Sequence, residues 1–255
     1  MKATSRREEI KKLLTINGSV EVSNLAESLN VSMETIRRDL DILCKEYDIK
    51  KIHGGAIKNN TSSTDYFFNK RINQNLIEKK KLAKAASEVI EDGDIIALDT
   101  GTTVLQMIDY IYDKNISIVT NSFPIINALS KYDISHLKGK IIFLGGEFNE
   151  NSLSSYGELS INMINNLNIT KSFASCDAFN IESGISYHNI REASLTKEFI
   201  KRGKTSFLLV DSDKFVQDSF YKLGDTSIVN TIISSVPCPE EFHSISPKTN
   251  WIFTN

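Results

Sequence analysis

Short apolar runs alternate with helical segments from residue 94 onward, and this alternation constrains the fold more than any other feature of the sequence. Buried strands that are separated by crossover helices form a mostly parallel sheet with helices on both faces. We therefore predict an α/β domain over residues 76–255, in which the final segment, 236–255, supplies only a closing strand near Trp251. The predicted strands are 95–98, 116–119, 141–144, 172–174, 207–210 and 232–233, and the predicted helices are 104–112, 124–131, 158–167 and 191–202.

Polar and small residues come directly after these predicted strands. Ligands bind to open parallel sheets outside the carboxyl ends of the strands. Gly, Ser and Thr at the start of a helix offer N–H groups and hydroxyls that suit an anion, and a Lys on the same edge supplies the opposite charge. Taken one by one, these residues are better explained as helix caps and turns, but their placement on one edge favours a site for an anion of the size of a sugar phosphate. They are Asp99, Gly101, Thr102, Thr103, Thr120, Asn121, Ser122, Gly145, Gly146 and Lys214.

The first 58 residues predict three short helices. A capping-box pattern, Ser5 followed by Glu8, opens the first helix. A second helix over 22–29 is joined by a short turn to a third helix capped by Ser32, and this arrangement is a helix-turn-helix. The apolar stripe of the third helix consists of Met33, Ile36, Leu40 and Leu43.

The third helix carries polar side chains where a helix-turn-helix contacts DNA. Thr35, Arg37 and Arg38 lie off the apolar stripe in its amino-terminal half, which enters the major groove in proteins of this kind. An Arg-Arg pair on an amphipathic helix is by itself usually a solvated face. The short turn and the basic hairpin that follows make the combination specific for DNA binding. Asp39 is interpreted as a structural group beside Arg37 or Arg38, since it would repel phosphate.

A β-hairpin wing is predicted after the third helix. Residues 49–53 alternate between apolar and basic side chains and end at a Gly-Gly turn, so Lys50, Lys51 and His53 are expected to point outward. Residues 1–58 contain 11 Lys or Arg and 9 Asp or Glu, and the whole chain has a formal charge of −2. The prediction of DNA binding therefore depends on where the positive side chains lie, because phosphates attract local clusters of charge.

The segment over 5–57 contains the runs VSMETIRRDLDIL and KKIHGGA and closely resembles the signature of the DeoR family. This resemblance implies that Ser32, Thr35, Arg37 and Arg38 contact DNA from the recognition helix and that Lys51 and His53 contact it from the wing. Lys51 stands where the family usually has Arg, so a positive charge is kept while bidentate contact is lost.

Residues 78–234 resemble, more loosely, the sensor domain of the same family, which is related in fold to ribose-5-phosphate isomerase. The matching positions add Asp177 to the predicted effector site, and Phe179 is expected to narrow it. The resemblance implies a repressor of a sugar or carbohydrate catabolic operon that responds to a phosphorylated sugar. Because helix-turn-helix proteins bind two-fold DNA sites as dimers, we expect a dimer or tetramer on double-stranded operator DNA.

A polar linker is predicted over 59–75, between a winged helix-turn-helix domain over 1–58 and the α/β domain. Its aromatic residues Tyr66, Phe67 and Phe68 are expected to dock on one domain or on a second subunit. A long helix over 71–90 follows, and its Glu-Lys-Lys-Lys run at 78–81 is assigned to solvation.

The main alternative is a phosphosugar isomerase. Proton transfer between sugar carbons needs a carboxylate base over the bound sugar, and Asp99, Asp177 and Asp211 lie near the predicted site. The attached DNA-binding segment argues against this alternative, and so does the lack of a dense acidic and basic cluster around Asp177. The predicted ligand site argues against a third alternative, a purely structural DNA-binding protein. We therefore predict no catalytic residue.

Other classes of function are not supported by the sequence. The three cysteines are far apart and the four histidines are scattered, so neither a disulfide framework nor a metal site is expected. Nucleotide-binding and hydrolase motifs are absent from the sequence, and no cofactor is predicted. The sequence has no apolar run that could span a membrane, and the amino terminus does not have the pattern of a signal peptide. These observations predict a cytoplasmic protein.

Overall fold

A computed structural model describes residues 3–47, 49–58, 68, 71–133, 137–215 and 218–255. The chain divides into two compact units, Met1–Arg71 and Ile72–Asn255. Most of the predicted linker, including Tyr66 and Phe67, lies outside the described residues, and Phe68 is buried. No helix in the described ranges is long and apolar enough to cross a membrane.

The first unit is a helix-turn-helix with a three-stranded antiparallel sheet. Its helices are α1 (Ala3–Asn17), α2 (Val22–Ser28) and α3 (Met33–Glu46), and its strands are β1 (Ser19–Glu21), β2 (Ile49–Ile52) and β3 (Gly55–Lys58). The strand order is β1-β3-β2, so the predicted hairpin wing is confirmed and β1 is an addition. The core includes Ile10, Leu14, Ile36, Leu40 and Leu43.

Two details of this unit differ from the predictions. Helix α1 begins at Ala3, so Ser5 lies inside the helix and the predicted capping box is wrong. Met33 is 52% exposed, because it is the first residue of α3 and the buried stripe begins one turn later at Ile36. The cap at Ser32 is confirmed, since its side chain accepts a hydrogen bond from the Thr35 N–H.

A buried ion pair joins α1 to α3. The Arg6 Nε donates to Asp39 Oδ2 at 2.5 Å, and these side chains are only 9% and 5% exposed. Arg7 Nε lies 3.5 Å from Asp39 Oδ1. The interpretation of Asp39 as a structural group is therefore correct, but its partners are on α1 and not on the recognition helix.

The second unit contains the α/β domain. Its strands are β4 (Ile95–Leu98), β5 (Ser117–Thr120), β6 (Ile141–Phe143), β7 (Glu147–Asn149), β8 (Ser154–Tyr156), β9 (Ile169–Ser175), β10 (Ala178–Asn180), β11 (Gly184–Tyr187), β12 (Gly203–Val210), β13 (Tyr221–Gly224), β14 (Thr231–Ser234) and β15 (Asn250–Phe253). Seven of them form a parallel sheet in the order β15-β14-β12-β9-β4-β5-β6. The predicted α/β fold class and the closing strand near Trp251 are confirmed.

Helices cover both faces of this sheet. They are α4 (Leu76–Glu88), α5 (Thr102–Leu105), α6 (Ile108–Ile111), α7 (Phe123–Leu129), α8 (Glu158–Asn165), α9 (Ile190–Arg202) and α10 (Phe242–Ile245). Helices α4 to α7 share a core with Ile96 and Leu98, whereas α8 and α9 share a core with Ala97. Successive strand residues thus point to opposite faces, as the pleat requires.

The strand order reverses beside β4. The chain places β5 and β6 on one side of β4, and then places β9, β12, β14 and β15 on the other side. The carboxyl ends of β4 and β9 therefore meet at the switch point of the sheet, which is where open α/β sheets bind their ligands.

Several local predictions of the second unit need correction. The predicted helix over 104–112 is two short helices, and the predicted helix over 71–90 is α4, preceded by Asn75 at a left-handed φ of 51°. Phe179 does not narrow the site, because its ring is buried against Phe215 and Trp251. The β7–β8 hairpin and the small sheet of β10, β11 and β13 were not predicted.

Substitution of Asp39 by Ala is expected to destabilise the first unit by about 3 kcal/mol, because it leaves the buried Arg6 without its counter-charge. Amide hydrogen exchange of α1 and α3 in the full chain measures this loss. The control is Asp41→Ala on the same helix, which removes only the exposed pair with Lys51 and is expected to cost at most about 1 kcal/mol. Equal effects of the two substitutions would show that the buried Arg6–Asp39 pair contributes no more to stability than the exposed Lys51–Asp41 pair.

Candidate DNA-binding surface and effector site

The start of the recognition helix α3 is fixed by two hydroxyls. Ser32 Oγ accepts a hydrogen bond from the Thr35 N–H at 3.2 Å, and the two side-chain oxygens lie 2.9 Å apart. Ser32 is exposed and Thr35 is half-buried. Both predicted contact residues thus serve first as a helix cap, which sets the end of α3 that would face DNA.

Arg37 and Arg38 are exposed and share one carboxylate. Arg37 lies 3.7 Å and Arg38 lies 3.3 Å from oxygens of Glu34, with the two arginine side chains 55% and 77% exposed. Exposed ion pairs of this kind contribute at most about 1 kcal/mol. Both guanidinium groups can therefore exchange Glu34 for phosphate or guanine at little cost.

The two predicted wing residues differ in their contacts. The Lys51 ammonium donates to Asp41 Oδ1 at 2.6 Å and so connects β2 to α3. His53 is exposed in the two-residue turn between β2 and β3, where Gly54 has a φ of +81° that favours glycine. Lys51 thus holds the wing against the recognition helix, while His53 projects from its tip.

Asp99 lies buried at the carboxyl end of β4. Its carboxylate accepts hydrogen bonds from the Thr196 hydroxyl and the Thr100 N–H, both at 2.7 Å. Burial, with a smaller contribution from the charges of Glu192 and Asp177, raises the pKa of Asp99 to about 7 against these hydrogen bonds. The charges of Glu192 and Asp177 thus reach Asp99, although the hydrogen bonds to its carboxylate come from Thr196 and Thr100.

The ends of β4, β9 and β12 are linked at the switch point. A Cβ at Gly101 would lie 2.3 Å from Ser175 Oγ, so the Ser175 hydroxyl at the end of β9 would have to turn away. The Thr103 hydroxyl donates to Asp211 Oδ2 at 3.4 Å, and both residues are buried. Thr102 is half-buried beside them. Thr103 thus has a structural role in joining two strand ends.

The Thr-Asn-Ser segment over 120–122, at the end of β5, mostly makes hydrogen bonds within the fold. Thr120 Oγ1 accepts from the Ser122 N–H at 3.1 Å, and Ser122 Oγ accepts from the Ile125 N–H at 3.5 Å to cap α7. Asn121 donates to the Ser155 carbonyl at 2.8 Å, but its Oδ1 is buried with no hydrogen-bond partner in the described structure. A buried acceptor without a partner is uncommon, and this one is available to a ligand donor.

Gly145 and Gly146 form a turn and do not lie at the switch point. They follow β6, the outermost strand on that side of the sheet. The Ser160 hydroxyl donates to the Gly145 carbonyl at 2.6 Å, and a side chain at Gly146 would lie 2.4 Å from the Tyr156 carbonyl oxygen. Packing and a φ of +153° explain the glycine at 146, whereas a Cβ at Gly145 would meet nothing within 4 Å.

Lys214 and Asp177 lie near the end of β9. Burial raises the pKa of the Cys176 thiol to about 12, and the nearby positive charge of Lys214 opposes this rise. Lys214 is half-buried, and no carboxylate of the described residues lies within ion-pair distance of its ammonium group. Asp177 Oδ2 accepts from the His188 N–H at 2.8 Å. The charge of Asp177 also acts on Asp99, so the carboxyl groups after β4 and β9 influence each other.

Three further residues border this site and were not predicted from the sequence. Thr196 binds Asp99, and Glu192 accepts a hydrogen bond from the Ser152 hydroxyl at 2.7 Å. The Ser152 carbonyl also accepts from the Thr100 hydroxyl at 3.4 Å. Ser152 belongs to the β7–β8 hairpin, and the other two lie on α9. The serine-rich run at 152–155 is a local sequence feature that could have indicated Ser152.

The winged helix-turn-helix and the α/β unit with its polar switch point together define a DNA-binding transcriptional regulator with a sensor domain. Residues 6–62 match the family model described as the DeoR-like helix-turn-helix domain, and residues 74–236 match that of the DeoR C terminal sensor domain. The chain belongs to the DeoR family.

Relatives extend along nearly the whole chain. A lactose phosphotransferase system repressor from Staphylococcus epidermidis is 31% identical over 92% of this chain and 92% of its own length. An L-fucose operon activator from Haemophilus influenzae is 32% identical over 92% of this chain and 93% of its own. Both relatives are transcriptional regulators and not enzymes.

Among solved structures, ribose 5-phosphate isomerase A from Methanocaldococcus jannaschii aligns with a TM-score of 0.40 and 17% identity. The alignment covers 56% of this chain and 55% of that one. Likeness at this level carries no information on activity.

Replacing Asp99 by Asn is expected to change how stability depends on pH. The pKa of Asp99 is raised from 3.8 to about 7 in the fold, so folding gains from its proton at low pH and loses this contribution as pH rises from about 4 to about 7. The advantage of Asp99→Asn over the natural protein should therefore grow across that range. Urea unfolding followed by the fluorescence of Trp251 measures it.

The control for this prediction is Asp92→Asn, since Asp92 is exposed near the opposite end of β4. Its stability difference from the natural protein should stay constant with pH. A constant difference for Asp99→Asn as well would mean that Asp99 is not protonated near neutral pH.

Proposed function

We propose that this protein represses a carbohydrate catabolic operon. A phosphorylated sugar, bound at the carboxyl ends of β4, β9 and β12, would control the affinity of the protein for its operator. The observation that carries the proposal is the position of Lys214 in a DeoR-family chain: it is half-buried after β12, its charge acts on Cys176 after β9, and no carboxylate of the described residues lies within ion-pair distance of it. An ammonium suits a phosphate, and carboxylates accept hydrogen bonds from sugar hydroxyls.

The other residues of this edge complete the proposed ligand site. The unpartnered Oδ1 of Asn121 would accept a hydroxyl of the sugar. Thr102 and Asp177 are half-buried and offer further polar contacts. Gly101, Thr103, Thr120 and Ser122 would act indirectly, by fixing the strand ends. The names of the two relatives, a lactose system repressor and a fucose operon activator, support a sugar-related role.

DNA would be bound by α3 in the major groove, with the hairpin wing beside it. Arg37 and Arg38 would reach guanine or phosphate, and His53 would contact the backbone from the wing tip. A single helix-turn-helix reads one half-site, so two copies on a two-fold operator would raise affinity. We therefore propose a homodimer or tetramer that works in the cytoplasm without a cofactor.

Fluorescence anisotropy on DNA from the protein's own promoter region tests the proposal. The titration is made at fixed salt, with and without ribose 5-phosphate, glucose 6-phosphate, fructose 6-phosphate and fructose 1-phosphate. We expect selective binding that one of these sugars weakens by about fivefold or more. Selective binding that no sugar phosphate alters would refute the proposed signal, and strengthening would contradict release of the operator by the sugar.

Lys214→Ala is expected to reduce the response to the sugar phosphate while operator affinity stays unchanged, because the substitution removes the counter-charge of the ligand and nothing from the DNA-binding unit. The same anisotropy titration measures both quantities. Lys204→Ala is the matched control, since Lys204 is exposed near the opposite end of β12. Loss of DNA binding with a normal sugar response would reverse the assignment of Lys214.

Arg37→Ala is expected to cost about 1–3 kcal/mol of specific operator affinity if its guanidinium reads a base. Lys45→Ala, in the last turn of the same helix, is the control for a general loss of positive charge. Comparison with unrelated DNA separates base reading from phosphate binding. Equal affinity of Arg37→Ala and the natural protein would remove Arg37 from the contact set.

A further inference from the structure

One carboxylate of α4 holds two loops of the sensor unit. Glu78 accepts hydrogen bonds from the Ser212 N–H and the Ser212 hydroxyl, both at 3.0 Å, and from the Ser235 hydroxyl at 2.6 Å. Ser212 follows β12 and Ser235 follows β14. The assignment of Glu78 to a solvated charge run is therefore wrong, and the next residue, Lys79, is buried.

The first of these loops carries the proposed ligand of the phosphate. Ser212–Lys214 forms a single short turn after β12. A second side chain, Gln74, contacts this turn from a position two residues before α4. The Gln74 amide donates a hydrogen bond to the Asp213 carboxylate. Segment 74–78 thus contacts the first two residues of the turn that ends in Lys214.

The contacts of Glu78 are those of an ionised group. Burial alone would raise the pKa of Glu78, but the hydrogen bonds from Ser235 and Ser212 outweigh it and hold the pKa below its usual value. Hydrogen bonds to an ionised acceptor are about twice as strong as neutral ones. The turn is therefore bonded to α4 more firmly than an ordinary surface loop.

The same turn is also linked to the switch point. Asp211, directly before it, accepts from Thr103 at the start of α5. Along the chain, α4 lies near the start of the sensor unit, directly after a short helical stretch over 71–73 and a turn over 74–75. A movement of the Ser212–Lys214 turn would therefore be transmitted through Gln74 and Glu78 to the start of the sensor unit.

We propose that Glu78 is a positioning residue that couples the effector site to the DNA-binding unit, by bonding the Ser212–Lys214 turn to the start of α4. The inference rests on the proposed function for the location of the ligand, but not on the identity of the sugar. Coupling between two sites is reciprocal. If Glu78 carries this coupling, we expect operator DNA to change hydrogen exchange in the turn after β12, and we expect this change to depend on Glu78.

Hydrogen–deuterium exchange of the full-length protein, with and without DNA from its own promoter region, tests the inference. In the natural protein, DNA is expected to change exchange in peptides over 206–215, and in peptides over 72–82, by about fivefold or more. In Glu78→Ala the change over 206–215 should disappear although the protein still binds the DNA. Persistence of the full change in this variant, or its absence from the natural protein, overturns the proposal.

Two further variants keep the test decisive. Glu88→Ala removes an exposed carboxylate from the other end of α4 and should leave the DNA-dependent change intact. The double substitution Ser212→Ala with Ser235→Ala removes two hydroxyl donors while leaving the Glu78 charge near the start of α4. If Glu78→Ala does not fold, this double variant replaces it, and the DNA-dependent change over 206–215 should again disappear. Loss of the change in Glu88→Ala as well would show general loosening of α4 and refute a specific role.

This experiment uses only protein and DNA, so its result is independent of the sugar-phosphate panel. A panel without effect combined with a Glu78-dependent change over 206–215 would refute the proposed signal and retain the coupling. A response to a sugar phosphate, combined with a turn over 206–215 that DNA does not change, would support the proposed effector and refute the proposed role of Glu78.

Discussion

The pairing of β4 with β9 is the contact on which the sensor unit depends. The chain builds β4, β5 and β6 outward and then returns to the open edge of β4, where β9 pairs in parallel and reverses the strand order. This return brings the residue after β4, Asp99, close to Asp177 after β9. Gly101 packs against Ser175 at the end of β9, where a Cβ would displace the Ser175 hydroxyl.

The elements that could be predicted from the sequence are those whose signal is local. The strands of the main sheet are continuous apolar runs, and α3 combines an apolar stripe with a capping serine, so both were visible without tertiary information. Their observed bounds differ from the predicted ones by a few residues. Candidate site residues were found for the same reason, since strand ends in a parallel sheet share one edge. Which of them act as caps could not be predicted, because Thr120 and Ser122 fit both roles.

The contacts that could not be predicted join residues far apart in the chain. Arg6 and Asp39 are 33 residues apart, Asp99 and Thr196 are 97 apart, and Glu78 and Ser235 are 157 apart. Each of these residues looks locally like an ordinary surface or capping group. The β7–β8 hairpin and the small sheet were missed because their short strands mix polar and apolar residues, unlike the continuous apolar runs of the main sheet.

The bonds of segment 74–78 determine where such a chain can be recombined. Each unit has its own apolar core, so a DNA-binding unit with a different operator preference can replace the natural one without repacking the sensor. A junction placed between residues 58 and 74 preserves Gln74 and Glu78 with the turn that they hold, whereas a junction inside α4 separates them from it. Under the proposed coupling through Glu78, a chimeric regulator made at the second junction would lose the link between its ligand and its operator.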